Sequence, residues 1–205
     1  KENQSIKYFN SFSIYDHNLN LINSYKKINL VPFGEFLPME NILKNIGLKT
    51  ITNNYKSYSK GEERDFFKIS YSNFSIKILP LICYEIIYSG KIFKNNRFDY
   101  IINISEDGWF GKSIGPEQHF AHSIFRAVES GKYVLRSSNN GKTAIINPLG
   151  VVEKQVDYNK SGYIDLNKTR KKKSTLFAVY GNIIFVFIIL MYIFLIFSFN
   201  KVKNE

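Results

Sequence analysis

The chain has 205 residues, 44% of them hydrophobic, and a formal net charge of +11. That length and apolar content support one folded domain with a core and exclude a disordered chain. From Lys168 onward seven basic residues face one acid, so +6 of the charge belongs to the tail and +5 is spread as mixed charge over everything before it. No basic stripe with interleaved aromatics marks a nucleic-acid face. The single cysteine, Cys83, rules out an internal disulfide and is either a core residue or a reactive thiol.

The chain opens on Lys1-Glu2-Asn3-Gln4, without a Met or a signal peptide, and reads as a piece of something longer. Tyr8 to Tyr15 and Leu19 to Ile28 are expected as two strands around the polar turn Asp16-His17-Asn18. Val31-Pro32-Phe33-Gly34 is a loop, and Met39 to Ile46 has helical spacing. Phe66 to Tyr71 and Phe74 to Ile82 form a hairpin around Ser72-Asn73, the second strand ending in the dense apolar run of a buried strand. Tyr100 to Ile104 is another buried strand. Pro116 to Ser130 is an amphipathic helix with Phe120, Ile124, Ala127 and Val128 on one face. Tyr133 to Ser137, Thr143 to Ile146, Val151 to Val156 and Gly162 to Leu166 complete the strands, so the pattern is alternating α/β. A boundary falls at about Asn167. It separates a domain at residues 1–167 from a basic juxtamembrane linker at 168–175, an apolar segment at 176–199 and a short tail at 200–205. The stretch Ile183 to Phe197 carries no charge, and the whole segment is long enough to cross a ~30 Å hydrocarbon core as a transmembrane helix.

The candidate chemistry lies in three segments. Cys83 follows the buried strand directly in Pro80-Leu81-Ile82-Cys83-Tyr84-Glu85, where a strand end offers a nucleophile rigid support and an opening onto a cleft. Upstream lies Tyr25-Lys26-Lys27-Ile28-Asn29-Leu30-Val31-Pro32-Phe33-Gly34-Glu35, and downstream Asp107-Gly108-Trp109-Phe110-Gly111. In order and spacing these resemble the nitrilase superfamily, whose α-β-β-α sandwich uses a Glu, a Lys and a Cys. The Leu-Val-Pro-Phe-Gly-Glu run, Gly111 to His119 followed by Arg126-Ala127-Val128-Glu129, and Arg136 to Gly141 resemble the bacterial apolipoprotein N-acyltransferases in particular. The resemblance runs from about Tyr8 to Phe199.

That resemblance implies a nitrilase-like sandwich, truncated at its N-terminus and followed by one transmembrane helix. It puts the nucleophile at Cys83 and the catalytic lysine at Lys27, with Lys26 the neighbouring alternative. Glu35, Tyr84 and Glu85 fall on supporting positions, and Trp109 on a loop beside the pocket. Acyl transfer needs a thiolate, an ammonium that stabilises it and the oxyanion, and a carboxylate to move the proton. The family's carboxylate lies upstream of the segment matching Tyr8 to Ser13, so it is expected before residue 1. Glu106 departs from the family, which usually has Asn there. The implied reaction moves a fatty acyl chain from a membrane phospholipid, through a Cys83 thioester, to the N-terminal cysteine amine of a diacylated apolipoprotein. The implied setting is the bacterial inner membrane with the domain on the periplasmic side, and no cofactor or metal is implied. A carbon–nitrogen hydrolase attacking amides or nitriles, and a non-catalytic fragment that binds lipid or a partner, are the alternatives. His119 and His122 sit three apart on the amphipathic helix without the further ligands a metal needs, so packing or hydrogen bonding is the better reading.

Overall fold

The computed structural model of the chain describes residues 6–45, 57–71, 74–90, 92, 97–167 and 173–203. Strand β1 (Ser11–Tyr15) pairs antiparallel with β2 (Leu21–Lys26) as a two-stranded sheet. The Asp16 carboxylate closes their turn by accepting the backbone N–H groups of Asn18 and Asn20. A larger sheet holds β3 (Phe67–Tyr71), β4 (Phe74–Ile82), β5 (Tyr100–Glu106), β6 (Tyr133–Asn139), β7 (Thr143–Ile146) and β8 (Val152–Val156), paired in that order. The pairs β4–β5 and β5–β6 are parallel and the rest antiparallel.

Strand β4 shows why its sequence is apolar without alternation. Leu79 and Leu81 pack into a core with Phe98, Ile101, Phe120, Ala127 and Val134, beneath helix α2 (Gly115–Ser130). Ile78 and Ile82 point the other way, into a cluster with Phe12, Tyr25 and Phe67 beneath the β1–β2 hairpin. With both faces covered, every residue at the end of the strand is inside, and each fully buried Leu or Ile contributes about 1.5–3 kcal/mol. Pro80 is tolerated there because the described β3 ladder ends at Ile78, leaving β4 paired with β5 alone. The result is three described layers: helix α2, the six-stranded sheet, and the two-stranded sheet. These are α, β and β layers of the expected sandwich.

Three expectations need correction. No strand forms over Gly162 to Leu166; the segment runs beside β8, where the Lys154 ammonium donates to the Asp165 carbonyl at 2.7 Å. Val128 is exposed, and the inward stripe of α2 instead carries His119, Ser123, Arg126 and Ser130 beside Phe120 and Ala127. The apolar tail is not one helix. It breaks at Gly181 (φ 56°) into α3 (Leu176–Tyr180) and α4 (Ile183–Lys203). Helix α1 (Glu40–Asn45) lies within the expected helical span, whose last residue, Ile46, falls outside the described residues, as do Ser72-Asn73 and most of the basic run.

Thr175 docks the tail on the domain. Its hydroxyl accepts the Ala178 N–H at 3.0 Å, capping α3, and donates to the Glu129 carbonyl at the end of α2. Among the described residues no helix is long and apolar enough to cross a membrane. The side chains described in α4 stop at Phe199, about 25 Å of helix from Ile183.

Candidate active site

Cys83 sits where β4 turns into a 3₁₀ turn, Cys83–Ile87. Its φ is 47°, in the left-handed region that a side chain with a Cβ rarely adopts. Such a conformation costs about 1–3 kcal/mol and persists only where the surroundings impose it. The turn places Glu85 directly beneath the corner, completely buried. Its Oε2 accepts the N–H of Ile82 at 3.0 Å. Its Oε1 accepts the Tyr25 hydroxyl at 2.7 Å, the N–H groups of Ile28 at 3.0 Å and Asn29 at 3.1 Å, and Arg64 Nη2 at 2.6 Å. One carboxylate therefore ties the strand bearing Cys83 to the segment bearing Lys27. Burial, and then the Glu85 charge, push the Tyr25 phenol up, which keeps it a donor.

Lys27 is 1% exposed and its ammonium lies 2.8 and 3.0 Å from the two Glu35 carboxylate oxygens. Glu35 also accepts the Val31 N–H at 2.8 Å and the Asn10 amide at 2.6 Å. The backbone of Lys27 is held on both sides, its N–H by the Asn10 carbonyl at 2.8 Å and its C=O by the Gly61 N–H at 2.9 Å. A Cβ at Gly61 would collide with the Lys26 carbonyl, so only glycine allows that approach. Lys26, by contrast, is exposed, with its ammonium over the Phe9 ring at 4.2 Å.

A second buried network lies under the other side of the corner. Asp107 accepts the Ser105 hydroxyl at 2.9 Å and Arg136 Nη2 at 2.7 Å, and its Oδ1 lies 2.8 Å from His119 Nδ1. Burial pushes the Asp107 carboxyl up. The His119 hydrogen bond and the Arg136 guanidinium outweigh that and hold it well below the usual carboxylate range. Arg136 also donates to Asn103, whose amide donates to the Leu81 carbonyl at 3.1 Å, two residues before the cysteine.

Glu106, whose role the sequence left open, caps the turn that follows. Its carboxylate accepts the Gly108 N–H at 2.7 Å and the Asn139 amide, and its backbone carbonyl lies 4.0 Å from Cys83 Sγ. That turn lifts Trp109 into solvent at 62% exposure. Tyr84, half-buried, packs edge-on against Tyr88 with ring centroids 5.6 Å apart.

The structure thus gathers Cys83, Glu85 and the Lys27–Glu35 pair around one clamp, with Tyr84 beside the cysteine and Trp109 on a neighbouring turn. Asn10, Gly61 and Arg64 had drawn no notice in the sequence. Each is an ordinary polar or small residue whose partners lie 17 to 39 positions away, and no local pattern signals that. Among the described residues no group of three or more His, Cys, Asp or Glu is arranged to hold a metal. The His122 ring packs against Phe125, while His119 points inward. A cavity of about 320 Å³ lies against β7 and β8, lined by Ile145, Glu153, Lys154, Asp165, Leu166 and Asn167; it contains none of these site residues.

A model of the carbon-nitrogen hydrolase family matches residues 1–172. Apolipoprotein N-acyltransferase from Rickettsia prowazekii (strain Madrid E) is 37% identical over 207 residues, covering 98% of this chain and 40% of that protein. The enzyme of the same name from Wigglesworthia glossinidia brevipalpis is 41% identical over 187 residues, covering 88% and 36%. The chain therefore spans about two fifths or less of the length of these curated relatives. A solved CN-hydrolase superfamily protein from Xanthomonas campestris superposes with a TM-score of 0.51 at 17% identity, over 75% of this chain and 54% of that one. That is a likeness of fold.

Proposed function

The chain belongs to the carbon-nitrogen hydrolase family, and on that premise we propose that it carries the nucleophile and lysine of an N-acyltransferase acting on apolipoproteins at a bacterial membrane. The observation that supports this best is the Glu85 clamp. It ties the left-handed corner at Cys83 to the backbone beside a buried Lys27.

In the proposed first step Cys83 Sγ attacks the ester carbonyl of a phospholipid. The Sγ–C bond forms and the carbonyl π electrons move onto oxygen, where the Lys27 ammonium and the Tyr84 N–H stabilise the oxyanion. Collapse breaks the ester C–O bond, and the lysophospholipid leaves with a proton. The α-amino group of a diacylated apolipoprotein then attacks the thioester, and the thiol is regenerated as the amide forms. Glu35 and Glu85 each accept several hydrogen bonds from the surrounding backbone and side chains, which fits them to supporting roles. The family's pattern assigns the base to a glutamate that precedes the segment matching Tyr8 to Ser13. Trp109 and Tyr84 would form the rim against which the acyl chain enters.

The tail supports a membrane setting. Every apolar side chain described in α4 from Phe185 to Phe197 is exposed, around the full circumference of the helix. A helix apolar on all sides needs a buried or lipid environment. We infer that the exposed apolar surface of α4 anchors the chain in the inner membrane, with the domain in the periplasm. Washing membranes with alkaline carbonate should leave the chain in the pellet, and its release would remove the anchor from the proposal.

The catalytic proposal is tested in a protein that also carries the upstream glutamate, with phospholipid labelled in its acyl chains. The expected result is one hydroxylamine-sensitive acyl group on the Cys83 peptide, discharged by an apolipoprotein amine and absent in Cys83→Ala. Normal transfer by Cys83→Ala would overturn the assignment. Release of free fatty acid or ammonia from simple esters or amides, without amine transfer, would instead favour a hydrolase.

A further inference from the structure

We propose that His119 is a positioning residue for the nucleophile, holding the backbone of Cys83 in its left-handed conformation through the Cys83 carbonyl. The proposal rests on Cys83 being the nucleophile.

His119 lies on the inward face of α2 and is 4% exposed. Its Nε2 is 3.2 Å from the Cys83 carbonyl oxygen. A carbonyl oxygen and a carboxylate oxygen both only accept, so each contact is a donation from the ring nitrogen that faces it, Nε2 to the Cys83 carbonyl and Nδ1 to Asp107. The other ring nitrogen faces Asp107 Oδ1 at 2.8 Å and Arg136 Nη2 at 3.3 Å. Asp107 and Arg136 are themselves 1% and 2% exposed and paired at 2.7 Å. A ring gripped at one nitrogen by a buried ion pair cannot swing, so the other nitrogen is a fixed donor aimed at the nucleophile's own peptide.

The rest of the corner explains why such a donor is needed. The φ of 47° at Cys83 is not self-sustaining for a residue with a Cβ. Glu85 fixes the residue before, through the Ile82 N–H. His119 fixes the carbonyl from the opposite side of the sheet, where α2 packs. The two clamps reach Cys83 from the two faces of β4. The Asp107 end of the network also begins the loop whose Glu106 carbonyl faces Cys83 Sγ at 4.0 Å. A single buried assembly therefore sets both the direction of the thiol and the loop it faces.

The test compares three variants, in a protein that also carries the upstream glutamate, by thermal midpoint, by the rate at which iodoacetamide alkylates the Cys83 peptide, and by kcat and KM for acyl transfer. The alkylation readout needs no acyl donor, so it reports on positioning even if the proposed reaction is wrong. An Asn amide can reach only as far as the Asp107 side of the ring, whereas a Gln amide can reach the Nε2 position. His119→Asn is therefore expected to keep the fold but lose about tenfold or more in alkylation rate and kcat with KM little changed. His119→Ala should behave at least as badly. His119→Gln, which gives up Asp107 but keeps the donor to Cys83, is expected to lower the thermal midpoint yet retain most of the parent's alkylation rate. If His119→Asn fails to fold, the Gln variant decides alone: parent-like alkylation at reduced stability supports the proposal, and lost alkylation in a folded protein refutes it. Parent-like rates in a folded His119→Asn, or rates that follow thermal stability across the series instead of the donor at Nε2, would overturn it.

Discussion

Replacing Glu85 with glutamine changes one atom and tests the clamp directly. The carboxylate accepts four donors on Oε1 and the Ile82 N–H on Oε2. The glutamine does best with its carbonyl toward the four, which turns its NH₂ against the Ile82 N–H. That leaves one buried backbone donor unpaired, at about 1–3 kcal/mol. It also leaves Arg64, whose side chain is 11% exposed, without its counter-charge. Breaking a buried ion pair costs about 3–5 kcal/mol, and the slight access of Arg64 to water favours the lower end. The sum is about 4 kcal/mol or more, a large part of the ~5–15 kcal/mol that holds a typical domain together. Arg64→Met alone should cost less, because Glu85 keeps its other donors, and the double variant should cost less than the two singles added. Chemical denaturation of detergent-solubilised protein followed by circular dichroism gives the stabilities. Alkylation of Cys83 at a denaturant concentration where all variants are folded reports the corner. A Glu85→Gln protein within about 1 kcal/mol of the parent, with unchanged alkylation, would refute the clamp.

Lys27→Ala should slow acylation of Cys83 by about 10²–10³, as loss of an oxyanion donor does, while Lys26→Ala should stay near the parent in the same acylation assay; the reverse order would shift the lysine by one. A Cβ at Gly141 would collide with Asp107 Oδ2 and Ser138 Oγ, so Gly141→Ala should destabilise by about 1–3 kcal/mol, and a thermal midpoint equal to the parent's would mean the loop yields without disturbing Asp107. The depressed Asp107 carboxyl predicts acid sensitivity. Its contribution to stability is fully present above the unfolded value near ~4, and is lost as pH falls below that, because the unfolded chain binds the proton first. Unfolding free energies measured from pH 6 to pH 3 should decline in the parent more than in Asp107→Asn, and parallel curves would contradict this.

The sequence by itself determined the alternating α/β pattern, the buried strand ending at Cys83, and the motif segments around Lys27, Cys83 and Trp109, because each is written in neighbouring residues. Lys27 and Lys26 were adjacent and chemically identical there. Only the fold separates them, by burying one against Glu35 and laying the other over Phe9. His119 was legible as part of an amphipathic helix, but its target is a carbonyl 36 positions away, reached because α2 crosses the strand that ends at Cys83. Val128 was misplaced for a related reason: spacing gives the faces of a helix, yet the partner decides where the buried stripe stops. Gly162 to Leu166 has strand-like residues, but a strand exists only when a neighbour completes its ladder, and beside β8 none forms. Local chemistry fixes which groups are available. The long-range contacts that close Glu85 onto Ile28 and Asn29 and His119 onto Cys83 are set by packing, which no short stretch of sequence contains.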